Sequence, residues 1–435
     1  VKPSHGLRRI SALALLALAV AAPQGRTAEF NLVPSVSLRQ EYNSNIDLDP
    51  GKDEAREDFI TKVIPRLRST LRDERLSLAV AAHAVPTLYW REEDRSDVDF
   101  HGSGEVAYAV TPRLSASADA RVSIDSQPDR NIGTTGERTG SGRRYLSGTD
   151  FGLSYSLSET SSASLTFGYD RSDYASEDDG EDFQGINLSA GLYRDLQKWL
   201  PRTTGQIGLG YGHYDYETSK IQSGYATAGL RHQVAEKWGA SATVGARYTR
   251  SEFDRVALQF VPPFFLVPVT VEETSSGWGG VGQLELSYAE ETTRYALNVL
   301  HDINVAFSDG PTELTSVRFS VNHRIRDEWS ANLSAAWSWN RSDDDEFTAD
   351  RQDETTYSLT PGLSWTPARE WTFSAGYSFL RLHDDEAGTD AERHLAFLEA
   401  TFGMSVFDLL EGAAALGGFY QPGRVIFPSG SPTSP

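Results

Sequence analysis

The chain has 435 residues, a formal net charge of −21, 11% aromatic residues and no cysteine. Mean hydropathy is −0.42 and no segment past residue 28 approaches twenty uninterrupted apolar residues, which excludes transmembrane helices. A soluble β-protein of this length would need a continuous core and several domains, with no disulfide to staple them, and a chain this acidic is not expected to bind nucleic acid.

At the N-terminus Lys2, Arg8 and Arg9 precede an apolar run from Ile10 to Ala22, too short to span as a helix but suited to a signal-peptide core. Small residues at 19–22 and 26–28 offer cleavage sites. The expectation is a signal peptide over 1–28, with a mature start between Ala22 and Glu29.

From Phe30 to Phe402 one pattern repeats about eighteen times: roughly a dozen residues in which apolar and small polar side chains alternate. In Leu114–Asp125 every even position is aliphatic and every odd one hydroxylic or charged. Successive side chains of a strand point to opposite faces, so such a run has one greasy and one wet face. It is about twice the usual strand length, and a tilted strand of that length crosses a bilayer. The runs read as 30–42, 59–71, 76–90, 98–110, 114–126, 143–157, 163–174, 183–196, 204–216, 223–234, 238–253, 277–288, 294–307, 314–325, 329–341, 355–365, 371–382 and 394–402, eighteen in all with sixteen as the alternative. The fold expected is an all-β, up-and-down transmembrane barrel over 29–402, followed by an extension over 403–435.

Connections alternate between tight and loose. Tight ones include 72–75, 111–113, 158–161, 235–237, 326–328 and 367–370; loose ones include 43–57, 91–97, 127–142, 175–182, 254–275, 342–353 and 384–392. Short turns on one side and long loops on the other are the pattern of bacterial outer-membrane barrels, with turns and both chain ends on the periplasmic side. Trp238, Trp329 and Trp371 begin strands just after tight turns and Trp199 precedes one, as expected of an interfacial aromatic belt meeting lipid and lipopolysaccharide.

Alternation turns Arg39, Glu41, Lys62, Arg66 and Arg68 inward near the start of the barrel, then Asp99, His101, Glu105, Asp119, Arg121, Asp125, Asp150 and Asp170, and later Arg247, Glu285, Asp302, Arg318, Arg324 and Glu399. Opposite charges on neighbouring strands either pair and stiffen the wall or mark a selectivity track. Arg39, Lys62, Arg66 and Arg68 make a local basic excess, with Arg121, Arg247 and Arg318 as further lumen candidates. His301 falls on the lipid face between Val299 and Ile303, a misfit that a bulge or a subunit contact would explain. Acidic clusters at 177–182, 343–346 and 384–386 read as solvated loop tips or sites of divalent-ion bridging to lipopolysaccharide. The run 256–271, VALQFVPPFFLVPVTV, is broken by Pro262, Pro263 and Pro268, which bar a regular strand in its middle. So greasy a segment would fold into the lumen, rest on the membrane rim or dock a partner.

The opening segments FNLVPSVSL at 30–38, EYNSNI at 41–46 and DFITKVIPRL at 58–67 resemble the β-barrel porin 2 family of outer-membrane proteins, with Arg66 where that family usually has glycine. The resemblance covers the first two strands. It implies an outer-membrane protein of a Gram-negative bacterium, encoded beside exopolysaccharide synthesis and export functions. The expected function is therefore a conduit for an anionic exopolysaccharide, working with periplasmic export components and without cofactor or metal. A general passive porin and a closed structural or adhesive scaffold are the alternatives. An enzyme is not expected: His83, His101, His213, His232, His301 and His323 form no motif with a nucleophile.

Overall fold

The computed structural model describes residues 28–405 except 52–54, 128–131, 133–134, 137, 139–141, 177–179, 262–264, 305–311 and 343–351. Eighteen strands follow one another: β1 (Glu29–Asn43), β2 (Asp58–Arg72), β3 (Leu76–Tyr89), β4 (Asp97–Thr111), β5 (Leu114–Asp125), β6 (Arg144–Ser158), β7 (Ser161–Tyr174), β8 (Phe183–Asp195) and β9 (Thr203–Tyr216) form the first half. The second half is β10 (Ser219–Gln233), β11 (Trp238–Val261), β12 (Phe265–Ala289), β13 (Thr293–Asn304), β14 (Thr312–Arg324), β15 (Trp329–Ser342), β16 (Gln352–Ala368), β17 (Trp371–Asp384) and β18 (Thr389–Gly403). Each strand pairs antiparallel with its sequence neighbours, and β1 also pairs with β18 from Ser35↔Gly403 to Asn43↔Leu395. The sheet is therefore a closed barrel, and each of the eighteen runs read from the alternation is a strand.

With strands about 4.8 Å apart and tilted about 40°, eighteen of them place the backbone about 18 Å from the barrel axis. That radius is too large for side chains alone to fill the lumen. The outer surface is accordingly the apolar one. Val244, Leu398 and Leu38 stay 68%, 67% and 55% exposed, which is stable only against lipid. Among the described residues, buried apolar side chains form small groups, such as Phe183, Tyr216 and Ile221, and not a central core.

Aromatic rings gather at the two edges of this apolar band. At the tight-turn rim Trp238, Trp329 and Trp371 are the first residues of β11, β15 and β17, and Trp199 lies in the turn before β9. Trp238 meets Tyr288 at 4.9 Å, Trp329 stacks on Trp365 at 5.7 Å and Trp371 meets Phe402 at 5.0 Å. At the loop rim Tyr42, Phe59 and Trp90 form a chain with ring centroids 5.2 and 6.1 Å apart. Between Phe30 and Tyr42 a tilted strand rises roughly 30 Å, about the thickness of a hydrocarbon core. Both β1 and β18 have their outer chain ends at the tight-turn rim, because Glu29 pairs with Arg72 and Gly403 with Ser35.

Two connections differ from expectation. The loop placed at 254–275 is mostly strand: β11 and β12 run on as a ribbon, paired from Trp238↔Tyr288 out to Val261↔Phe265. Their outer neighbours stop far sooner, β10 at Ser219↔Phe253 and β13 at Gly282↔His301. Pro268, expected to break a strand, sits in β12 opposite Leu258. A proline is tolerated there because the outer edge of the free ribbon meets no further strand among the described residues, so the N–H that proline lacks is not needed. Similarly, β9 and β10 are joined by Glu217 and Thr218 alone, so β10 begins four residues before the expected 223.

Candidate functional site: the lumen and its loop-side constriction

The closing seam brings the basic cluster together and neutralises most of it. On the lumen face Arg39 is level with Lys62 of β2 and Glu399 of β18. Glu41, 2% exposed, lies 2.5 Å from Arg39 Nε and 2.9 Å from Lys62 Nζ. Glu399 approaches Arg39 at 3.6 Å and Arg66 at 3.9 Å, and Arg66 also donates to the Ser37 hydroxyl at 3.1 Å. The Arg39 guanidinium lies 3.8 Å above the Phe397 ring. Arg68, further toward the tight-turn rim, is exposed and makes no ion pair among the described residues. Of the four, it is the one whose charge is left to the lumen.

The other candidates are dispersed. Arg121 pairs with Asp150 at 3.4 Å and with Asp170, on a wall where Glu105, Asp119 and Asp150 fall in one cross-strand row. Like charges placed in a row oppose each other, and Arg121 relieves that repulsion. Arg247, 2% exposed, holds Asp302 at 3.0 Å and Glu313 at 2.8 Å. Arg318 faces the lumen between Asn298 and Ala336. From β14 to β17 the wall is largely uncharged and hydroxylic. One row runs Ser320, Ser334, Thr360 and Ser378, and Ser364 bonds Ser374 at 3.1 Å.

His301 is on the outer face, as the alternation placed it, but no register shift accompanies it. Its Nδ1 lies 2.9 Å from the Thr315 hydroxyl on the next strand, which satisfies the polar atom without a bulge or a second subunit. His232 and His323 likewise meet Thr203 and Thr293 at 2.8 and 2.9 Å. His83 and His101 stack in the lumen with centroids 4.7 Å apart. None of the six histidines weighed as catalytic pairs with a carboxylate among the described residues.

Sequence reasoning missed that two loops turn into the barrel. In the β1–β2 connection Asn45, Ile46, Asp47 and Leu48 are at most 6% exposed. Leu48 packs with Ile132 of the β5–β6 connection and with Leu380 on the lumen face of β17. Leu48 holds a φ of 55°, a left-handed conformation that costs a branched residue roughly 1 kcal/mol or more and persists because its side chain is buried. Asp47 anchors the first loop through Arg56 at 2.7 Å and through Arg95 of the 3-10 turn Glu93–Arg95. Asn45 donates to the Glu392 carbonyl at 3.2 Å. The second loop reaches the far wall, where Asn340 donates to the Thr135 carbonyl at 2.8 Å and Thr356 to the Gly136 carbonyl at 2.5 Å. At the rim Glu57 accepts from Tyr42 and Arg91, both at 2.6 Å, and these hydrogen bonds hold its carboxyl below the usual range. The available signal was the buried-type sequence Asn45-Ile46-Asp47-Leu48, apolar residues within a polar loop.

These bonds predict a measurable effect on current. The double variant Asn340→Ala/Thr356→Val removes both side-chain tethers, at about 1 kcal/mol each. Single-channel conductance in planar bilayers is expected to rise and to become noisier, and an unchanged trace would show that the crossing loop does not limit the current.

Fold and lumen together define a transmembrane β-barrel with a water-facing interior narrowed at its loop end. No family model matches the chain, and no curated protein matches it. Among solved structures it is similar to the Fiu ferric-catecholate import receptor of E. coli, at 8% identity and a TM-score of 0.47 over 86% of this chain and 82% of that one. It is also similar to OccK9 (OpdG) of Pseudomonas aeruginosa, at 10% identity and a TM-score of 0.45 over 86% and 99%. A third, OccAB4 of Acinetobacter baumannii, gives 10% and 0.42 over 88% and 100%. Likeness at this level carries no argument about solute, and the barrel rests on its own strand pairing.

Proposed function

We propose that the chain is an outer-membrane channel for hydrophilic solutes and that it leads a secreted polysaccharide out of the periplasm without a covalent step. The observation that carries the reading is the hydroxyl and amide wall of β14–β17, facing a lumen too wide for side chains to fill. Hydroxyls exchange hydrogen bonds with a passing sugar at little cost, since each is as well satisfied by water. The resemblance of 30–67 to the β-barrel porin 2 family supports the same solute. The loops folded into the mouth favour a second reading, passive diffusion of small polar molecules past a constriction.

Two measurements separate these readings. The refolded barrel should conduct ions in planar bilayers, and a clean deletion should abolish polysaccharide secretion. Conductance with normal secretion leaves the passive porin, and an ion-tight barrel leaves a scaffold.

A further inference from the structure

The wall formed by β8, β9 and β10 differs from the rest of the lumen. From Phe183 to Tyr193 on β8 and from Thr204 to Tyr216 on β9, no lumen-facing residue is charged. The inward positions are instead glycine, uncharged polar residues, tyrosine and, at the loop end, Phe183.

Three of these tyrosines lie flat on the backbone of glycines. A Cβ on Gly210 would fall 2.1 Å from the Tyr225 ring, one on Gly212 would fall 2.6 Å from the Tyr214 ring, and one on Gly191 would fall 3.0 Å from Tyr193. Glycine lets the rings lie this close, because a side chain at Gly210 or Gly212 would push the ring off the wall. A ring held flat covers the strand with one face and turns the other toward the lumen. Tyr193 is 39% exposed and Tyr225 is half-buried; Tyr214, also half-buried, packs at the edge of the Phe183, Tyr216 and Ile221 group, its ring stacked with Phe183 at 6.2 Å.

The register gives their order. Gly191 pairs with Gly208 of β9, so the three rings lie over positions level with Gly208, Gly210 and Gly212 and succeed one another at two-residue steps. At about 3.4 Å per residue they are spaced about 7 Å along the strand, from the tight-turn end toward the loop end. An extended chain can touch all three at once, whereas a single sugar touches one.

We propose that Tyr193, Tyr225 and Tyr214 form a stacking track for the pyranose rings of a linear oligosaccharide. The apolar C–H face of a pyranose packs on the flat face of an aromatic ring, while its hydroxyls stay in water or bond to neighbouring polar groups. Beyond Arg231 and Asp195, which flank Thr204 at the tight-turn end, the inward face of these three strands carries no charge, so nothing along the track holds the chain at one point. The proposal rests on the channel reading above and names a binding surface within that channel. The acidic row on β4–β6 and the basic seam at β1–β2 lie outside it.

The test is current block in planar bilayers, with maltohexaose as the probe and glucose as the control. Wild-type channels should show concentration-dependent interruptions with maltohexaose and none with glucose. Tyr225→Leu should weaken the block about tenfold while leaving the open-channel current intact, and Tyr225→Phe, which keeps the ring, should retain the block. A channel that conducts but ignores maltohexaose overturns the track and leaves the channel reading standing. Equal block in wild type and Tyr225→Leu also overturns it, and would make the rings covers for the glycines alone. A barrel that carries no current overturns both.

Discussion

The double variant Arg39→Gln/Lys62→Gln is expected to lose roughly 3 kcal/mol of unfolding free energy. Glu41 is 2% exposed and lies against these two cations, at 2.5 and 2.9 Å. Removing both leaves a buried carboxylate beside Ile60 and Phe397, its cross-strand neighbours. Adding Glu41→Gln should recover most of the loss, because the penalty lies in the stranded charge and not in the missing cations. Urea titration of the barrel in lipid vesicles, read as a mutant cycle, measures both effects. Arg68→Gln is the matching probe of selectivity, since that side chain has no ion-pair partner among the described residues. A basic cluster that served only as an anion track would show the reverse: little stability change in the double variant and a large change in ion preference.

The two faces of the wall predict a second contrast. Val244 is midway along β11 between Trp238 and Tyr248 and is 68% exposed to the outside. Val244→Arg should cost about 2–4 kcal/mol, the penalty of a guanidinium at the bilayer midplane. Ser334 is midway along β15 on the other face, opposite Ser320 and Thr360. Ser334→Arg should change stability by no more than about 0.5 kcal/mol, because its head stays in lumen water. The same refolding assay compares the two. Equal losses would mean that the assigned inside and outside are wrong.

Strand number and facing were legible because lipid on one side and water on the other impose a strict period of two. That constraint lapses where the wall ends. The β11–β12 ribbon beyond Phe253 and Glu273 no longer separates two solvents, so its sequence is apolar without alternation and looked like a loop. Alternation likewise told which way Arg39, Lys62 and Arg66 point but not their height. Their meeting with Glu41 and Glu399 depends on a register across the long 44–57 connection and across the closing seam, where no tight turn sets the offset. The inward path of the two loops depends on contacts such as Asn340 with Thr135, 205 residues apart, which no local pattern encodes.

Every strand pairing except one joins segments adjacent in the chain. The exception is β1 with β18, which places Ser37 against Thr401, 364 residues away, with hydroxyls 2.8 Å apart. Seventeen hairpin steps are thus local and fast, and one is not. For a flexible chain, closing a loop of that length costs about 5 kcal/mol in entropy. Until it closes, the first and last strands are open edges whose unpaired N–H and C=O groups would each cost several kcal/mol in hydrocarbon. An incomplete barrel therefore has no stable residence in the bilayer, and insertion has to await the synthesis of the last strand.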